Sequence, residues 1–79
     1  MPIQVFLAAT LRRFIPNYDP EQGVSVSIEP GETVSRIIEL IGIPKEEVKI
    51  VMVNGVHASL DHPLNGDERV AFFPPVGGG

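Results

Sequence analysis

Apolar residues fall in short runs along this chain, and the changes in their period mark the elements. Ile3 to Ala9 is an apolar run of strand length broken only by Gln4. Its β-branched content favours a strand, with Ile3, Val5 and Leu7 on one face and Gln4, Phe6 and Ala8 on the other. Thr10 is a candidate cap for a short helical turn over 11–14, which Pro16 and the polar stretch 17–22 then interrupt. Val24, Val26 and Ile28 alternate with Ser25 and Ser27, the period of a half-buried antiparallel strand at or near a sheet edge. Thr33 precedes Val34, Ile37, Ile38 and Ile41, which share one helical face, so a helix is predicted over 34–41 with Thr33 as its cap. Gly42 and Pro44 supply the stop. Val48 to Val53 reads as another strand, Asn54-Gly55 as a tight hairpin turn and Val56 to Ala58 as the return. After loop and turn residues over 61–67, Arg69 to Phe73 reads as the final strand.

One amphipathic helix and four to five short strands make two layers around one core, an α+β arrangement. The first and last strands are the most apolar, which predicts that they lie centrally, side by side. That topology is a ubiquitin-like β-grasp, a mixed sheet packed on one main helix. The expected division is a β-grasp domain over 1–73 and a flexible tail over 74–79. Alternation puts Phe72 in the core with Ile3, Val5 and Leu7, and leaves Phe73 near Phe6 and Ala8 on the far face. An exposed aromatic beside the tail is a candidate docking patch.

Composition narrows the function. A chain of 79 residues is one domain with little room for an enclosed active site, so a binding or carrier module is favoured over a self-sufficient enzyme. There are no cysteines, hence no disulfide framework, thiolate zinc site or cysteine nucleophile. Ten acidic against six scattered basic residues give a net charge of −4, which argues against nucleic acid and anionic membranes as partners. No run approaches the length of a spanning helix, and a cytoplasmic location is the default expectation. His57 and His62 have no thiol or carboxylate cluster to complete a site, so no metal is expected. Glu46-Glu47 reads as a solvated loop and Asp67-Glu68 as a turn, with an acidic rim available to steer basic partners.

The candidate chemistry sits at the end of the chain. Pro74 and Pro75 remove two amide donors, so strand pairing stops there and the chain leaves the sheet stiffly. Val76-Gly77-Gly78-Gly79 then offers a backbone thin enough to enter a narrow channel. The closing Val70-Ala71-Phe72-Phe73-Pro74-Pro75-Val76-Gly77-Gly78-Gly79 is similar to the ending of the small subunit of molybdopterin synthase. Asp61-His62-Pro63-Leu64, Gly66-Asp67-Glu68 and Val53-Asn54-Gly55 also resemble that family. Arg69 puts the acidic turn one residue out of step with the commonest pattern, and Gly77 stands where a side chain is often found. Three final glycines also look like the sulfur carriers of thiamin synthesis, which belong to the same superfamily.

The resemblance implies a sulfur carrier. A ubiquitin-activating-type adenylyltransferase would use ATP and magnesium to turn the carboxylate of Gly79 into an acyl-adenylate. A sulfur donor protein would then replace AMP, leaving a thiocarboxylate that acts inside the large subunit of molybdopterin synthase. Gly77 and Gly78 would enter the channel, while Phe73, Pro74, Pro75, Val76, Phe6, Ala8 and His57 would meet partners. The chain itself would bind no cofactor. Alternatives are the thiamin or another sulfur-transfer pathway, a ubiquitin-like modifier joined to lysines, and a plain interaction domain with an idle tail.

Overall fold

The two most apolar strands are neighbours at the centre of the sheet. In a computed structural model, which describes residues 2–75, β1 (Ile3–Leu7) runs parallel to β5 (Arg69–Phe73), with Leu7 opposite Phe72. β2 (Val24–Val26) pairs antiparallel with β1, β3 (Ile50–Val53) antiparallel with β5, and β4 (Val56–His57) antiparallel with β3. The order across the five-stranded mixed sheet is β2-β1-β5-β3-β4. One face of it packs on α1 (Val34–Ile41), which gives the two-layer β-grasp expected from the pattern.

The helix forms where its stripe predicts. Thr33 is extended, its hydroxyl accepts from the Arg36 amide at 3.4 Å, and Gly42 ends the helix in the left-handed conformation at φ 81°. Val34, Ile37 and Ile38 are buried against Ile3, Val5, Leu7, Val70 and Phe72. Two further amides at the helix start donate to loop carbonyls, Val34 to His62 at 3.1 Å and Ser35 to Leu60 at 2.9 Å. The loop carrying His62 is thereby tied to the helix through its backbone.

Several boundaries differ from the sequence expectation. β1 stops at Leu7 rather than Ala9, because Ala9 takes φ 51° and opens a 3-10 turn over Ala9–Phe14. Extended Ala8 caps that turn without a side-chain bond, and Thr10 lies inside it. β2 ends at Val26, short of Ile28. β3 starts at Ile50 rather than Val48, because Lys45–Glu47 forms a second 3-10 turn that takes the Val48 amide at 3.1 Å. Asn54 and Gly55 adopt φ of 51° and 81°, the positive pair that a tight hairpin needs, and the return strand is only Val56–His57.

The chain bends at Gly66-Asp67, in line with the turn read at Asp67-Glu68, but Glu68 is not solvated there. Glu68 is 7% exposed, and its carboxylate sits inside its own loop. One oxygen accepts from the Asn65 amide at 2.7 Å, the other from Gly66 at 2.9 Å and Asp67 at 3.2 Å. Burial pushes this carboxyl up. Amides of Gly66, Asn65, Glu68 itself and Asp67 more than offset it and hold the group below its ordinary range.

Candidate docking face and tail exit

Where β5 ends, the backbone is pinned from both sides. The Phe72 carbonyl accepts from the Ala8 amide at 3.1 Å, and the Phe73 carbonyl accepts from Lys49 at 2.8 Å. Pro74 and Pro75 follow with no N–H to offer, so the ladder cannot continue. The chain therefore leaves the sheet at a fixed point, from its most central strand.

The side of the sheet away from α1 is apolar as well. Alternation in β5 buries Val70 and Phe72 and turns Ala71 and Phe73 outward, with Phe73 36% exposed. Register sets Ala71 beside Met52 of β3 and Phe6 of β1, Phe73 beside Ile50, and Met52 beside His57. An open concavity of about 720 Å³ lies over these strands. Ala8, Ile50, Met52 and His57 line it, and Phe73, Pro74 and Pro75 form the wall where the chain departs.

Of the residues read from the sequence as partner-contacting, Ala8, His57, Phe73, Pro74 and Pro75 meet at this concavity. Phe6 lies to its side, lining a smaller depression of about 170 Å³ with Phe73, Arg12 and Tyr18. Val76, Gly77, Gly78 and Gly79 lie outside the described residues. Ile50 and Met52 were not singled out by the sequence reading. Their signal was there: Ile50 to Val53 is apolar at every position, which marks a strand with two apolar faces rather than one.

Two side chains secure the exit end of β1 where β2 no longer reaches. The Tyr18 hydroxyl accepts from the Leu7 amide at 2.7 Å, and Arg12 Nε donates to the Leu7 carbonyl at 2.9 Å. The Arg12 guanidinium also lies 5.7 Å from the centre of the Tyr18 ring. Both polar groups of Leu7 on that edge are thus satisfied by side chains instead of a neighbouring strand.

Comparison with known proteins places this geometry. The family model described as Mut7-C ubiquitin matches residues 1–77. A 30-residue stretch is 53% identical to the molybdopterin synthase sulfur carrier subunit of Escherichia coli K12, covering 38% of this chain and 37% of that relative's length. The crystal structure of SAMP1 from Haloferax volcanii superposes with a TM-score of 0.76 over 100% of both chains at 22% identity. A second crystal structure, described as the small archaeal modifier protein 1 of that organism, gives a TM-score of 0.74 at 20% identity, covering 95% of this chain and 98% of the other. The structural likeness is one of fold. Among the described residues, no helix is long and apolar enough to cross a membrane.

Proposed function

The chain belongs to the Mut7-C ubiquitin family, and we propose that it is a sulfur carrier whose reacting atom is the terminal carboxyl of Gly79. The observation that carries this reading is the pinned end of β5, followed in sequence by two prolines, a valine and three glycines. A body fixed to Phe73 gives the segment beyond it a defined origin. Glycines without side chains let it pass where other residues do not.

A free carboxylate is a poor acylating group. In the proposed cycle an adenylating enzyme of the ubiquitin-activating type, using ATP and magnesium, joins the Gly79 carboxylate to the α-phosphate and releases pyrophosphate. The terminal sulfur of a donor's persulfide then attacks the acyl carbon and AMP leaves with the bonding pair. A second thiol attacks the donor's inner sulfur, the S–S bond breaks with its electron pair going to the acyl-bound sulfur, and a disulfide on the donor and the thiocarboxylate result. Sulfur becomes the nucleophile delivered to an acceptor in a larger synthase subunit. This chain contributes position, and its partners contribute acid–base and electrostatic catalysis. The short match to the sulfur carrier subunit of molybdopterin synthase favours a pterin precursor as the acceptor.

The test is intact mass after incubation with the adenylating enzyme, ATP, magnesium and a sulfur donor. Replacement of oxygen by sulfur adds about 16 Da. No gain with an enzyme that adenylates the chain would overturn the reading. The same measurement on untreated protein checks that Gly79 is its last residue. If the acyl-adenylate instead yields isopeptide adducts on lysines, the chain is a modifier. Stable association with the large subunit of molybdopterin synthase, set against a thiazole-forming synthase, selects the pathway.

A further inference from the structure

We propose that the Met52 thioether is a peroxide-sensitive switch: oxidation to the sulfoxide closes the outer face of the sheet to partners, and reduction reopens it. The switch rests on the reading of that face as the surface a carrier presents, and adds the atom that turns it off. Alternation in β3 sends Val51 and Val53 into the core and leaves Ile50 and Met52 half-buried on the other side. Met52 lines the open concavity of about 720 Å³ together with Phe73 and Pro74. Its register neighbours are Ala71 on β5 and His57 on β4. Ala71 carries a single methyl and His57 is itself exposed, so a small oxidant has an approach from the concavity.

Among the described residues, Met52 is the only side chain that carries sulfur, and the whole chain has no cysteine thiol to compete for the oxidant. A lone pair on the Met52 sulfur attacks one oxygen of hydrogen peroxide, and the O–O bond breaks with its electron pair going to the departing oxygen. The hydroxyl proton passes to that oxygen, giving the sulfoxide and water. Sulfur loses two electrons and the peroxide gains them.

The product is polar where its surroundings are not. Ile50, Ala71 and Phe73 have no side-chain donor for the new S=O oxygen. In the free chain that oxygen faces water in the concavity, whereas an apolar partner surface would strip the water and leave the oxygen unpaired. Met52 lies outside the buried core cluster, so the change acts on the surface and leaves the body folded. Oxidation of a flexible apolar side chain thus becomes a loss of docking without a loss of structure.

The experiment treats the full chain alone with hydrogen peroxide, removes the oxidant, and measures binding to the ubiquitin-activating-type adenylating enzyme of the same genome by calorimetry. One added oxygen is a gain of about 16 Da, the same nominal change as sulfur for oxygen at Gly79. Trypsin separates the two, because cleavage after Lys49 and Arg69 leaves Met52 in peptide 50–69 and Gly79 in peptide 70–79. Peptide 50–69 should gain its oxygen within about threefold of the rate in urea, where no fold protects it. The treated chain should bind at least about tenfold more weakly, with a Tm within about 2 °C of the untreated chain. Methionine sulfoxide reductases for both sulfur epimers, with a thiol reductant, should restore the affinity. Met52→Leu is judged only by its own ratio of treated to untreated affinity, which should stay near one although Met1 is still present. Equal affinity before and after treatment, a loss that the reductases do not reverse, a loss shared by Met52→Leu, or a treated chain that melts early overturns the switch. If the untreated chain forms no complex, the switch fails with the surface it acts on, whereas a mass gain on peptide 70–79 upholds the carrier reading by itself.

Discussion

The Tyr18 hydroxyl accepts the amide proton of Leu7 at 2.7 Å, one residue before β1 gives way to the turn that carries Arg12. This bond stands in for a strand partner that β2 is too short to provide. Tyr18→Phe keeps the ring and removes the acceptor, leaving a part-buried N–H unpaired. The expected loss is about 1–2 kcal/mol of unfolding free energy in urea titration. Amide exchange at Leu7 should rise well above that at Val5, which is held within the β1–β2 pairing.

Glu68 predicts an acid response. Its carboxyl is held below the ordinary value of 4.5 in the folded chain, so the unfolded chain binds the proton more tightly. The stability it contributes is therefore complete above that ordinary value and is lost as pH falls through the lower folded value. Glu68→Gln should cost about 1–2 kcal/mol at neutral pH, because an amide offers one acceptor oxygen where three backbone amides now find two. The gap in Tm between the two proteins should close as pH is lowered from 6 towards 3. A gap that stays constant would show that the loop's amides do not depend on the charge.

Gly23 is fixed by space and by conformation at once. It sits at φ +69°, and a Cβ there would come to 2.5 Å from the Val5 carbonyl oxygen and 3.1 Å from the Phe6 ring. Gly23→Ala should destabilise by about 2–3 kcal/mol. Gly31→Ala is the comparison, because its φ of +98° is also unfavourable but nothing lies within 4 Å of the added carbon. It should cost about half as much or less.

Adjacent phenylalanines should separate stability from docking. Phe72 is fully buried, and Phe72→Ala should cost about 3–5 kcal/mol. Phe73→Ala, at a position 36% exposed, should cost less than about 1 kcal/mol yet weaken partner binding tenfold or more. Paired thermal melts and binding isotherms read the two effects. Equal losses of stability would mean that the outer face is part of the core.

The elements that a residue pattern can specify were legible. Val34, Ile37, Ile38 and Ile41 define a helix by spacing, and Asn54-Gly55 defines a hairpin by its allowed φ. The central position of the first and last strands followed from their apolarity, because a strand paired along both edges is less exposed than an edge strand and carries fewer polar residues. Long-range side-chain roles did not show. Tyr18 reaches Leu7 across eleven residues, and Asn54 Oδ1 accepts from the Arg69 amide at 2.9 Å across fifteen. Neither bond has a local signature. Gly66-Asp67-Glu68 read as a turn from its polarity, which does not reveal that the Glu68 carboxylate turns back onto its own loop's amides. Arg69 similarly read as the polar start of a strand, and only the fold sets it over Phe6.

Since β1 and β5 run in the same direction side by side, Ile3 and Phe73 lie at opposite ends of the sheet. With Gln4 opposite Arg69 and Leu7 opposite Phe72, the chain enters the body about 15 Å, roughly five residues of strand, from where it exits. A short purification tag fused ahead of Pro2 therefore starts at the end of the sheet away from the exit. The same cargo joined after Gly79 would block the proposed chemistry outright, so for expression and for labelling the usable handle is the amino end.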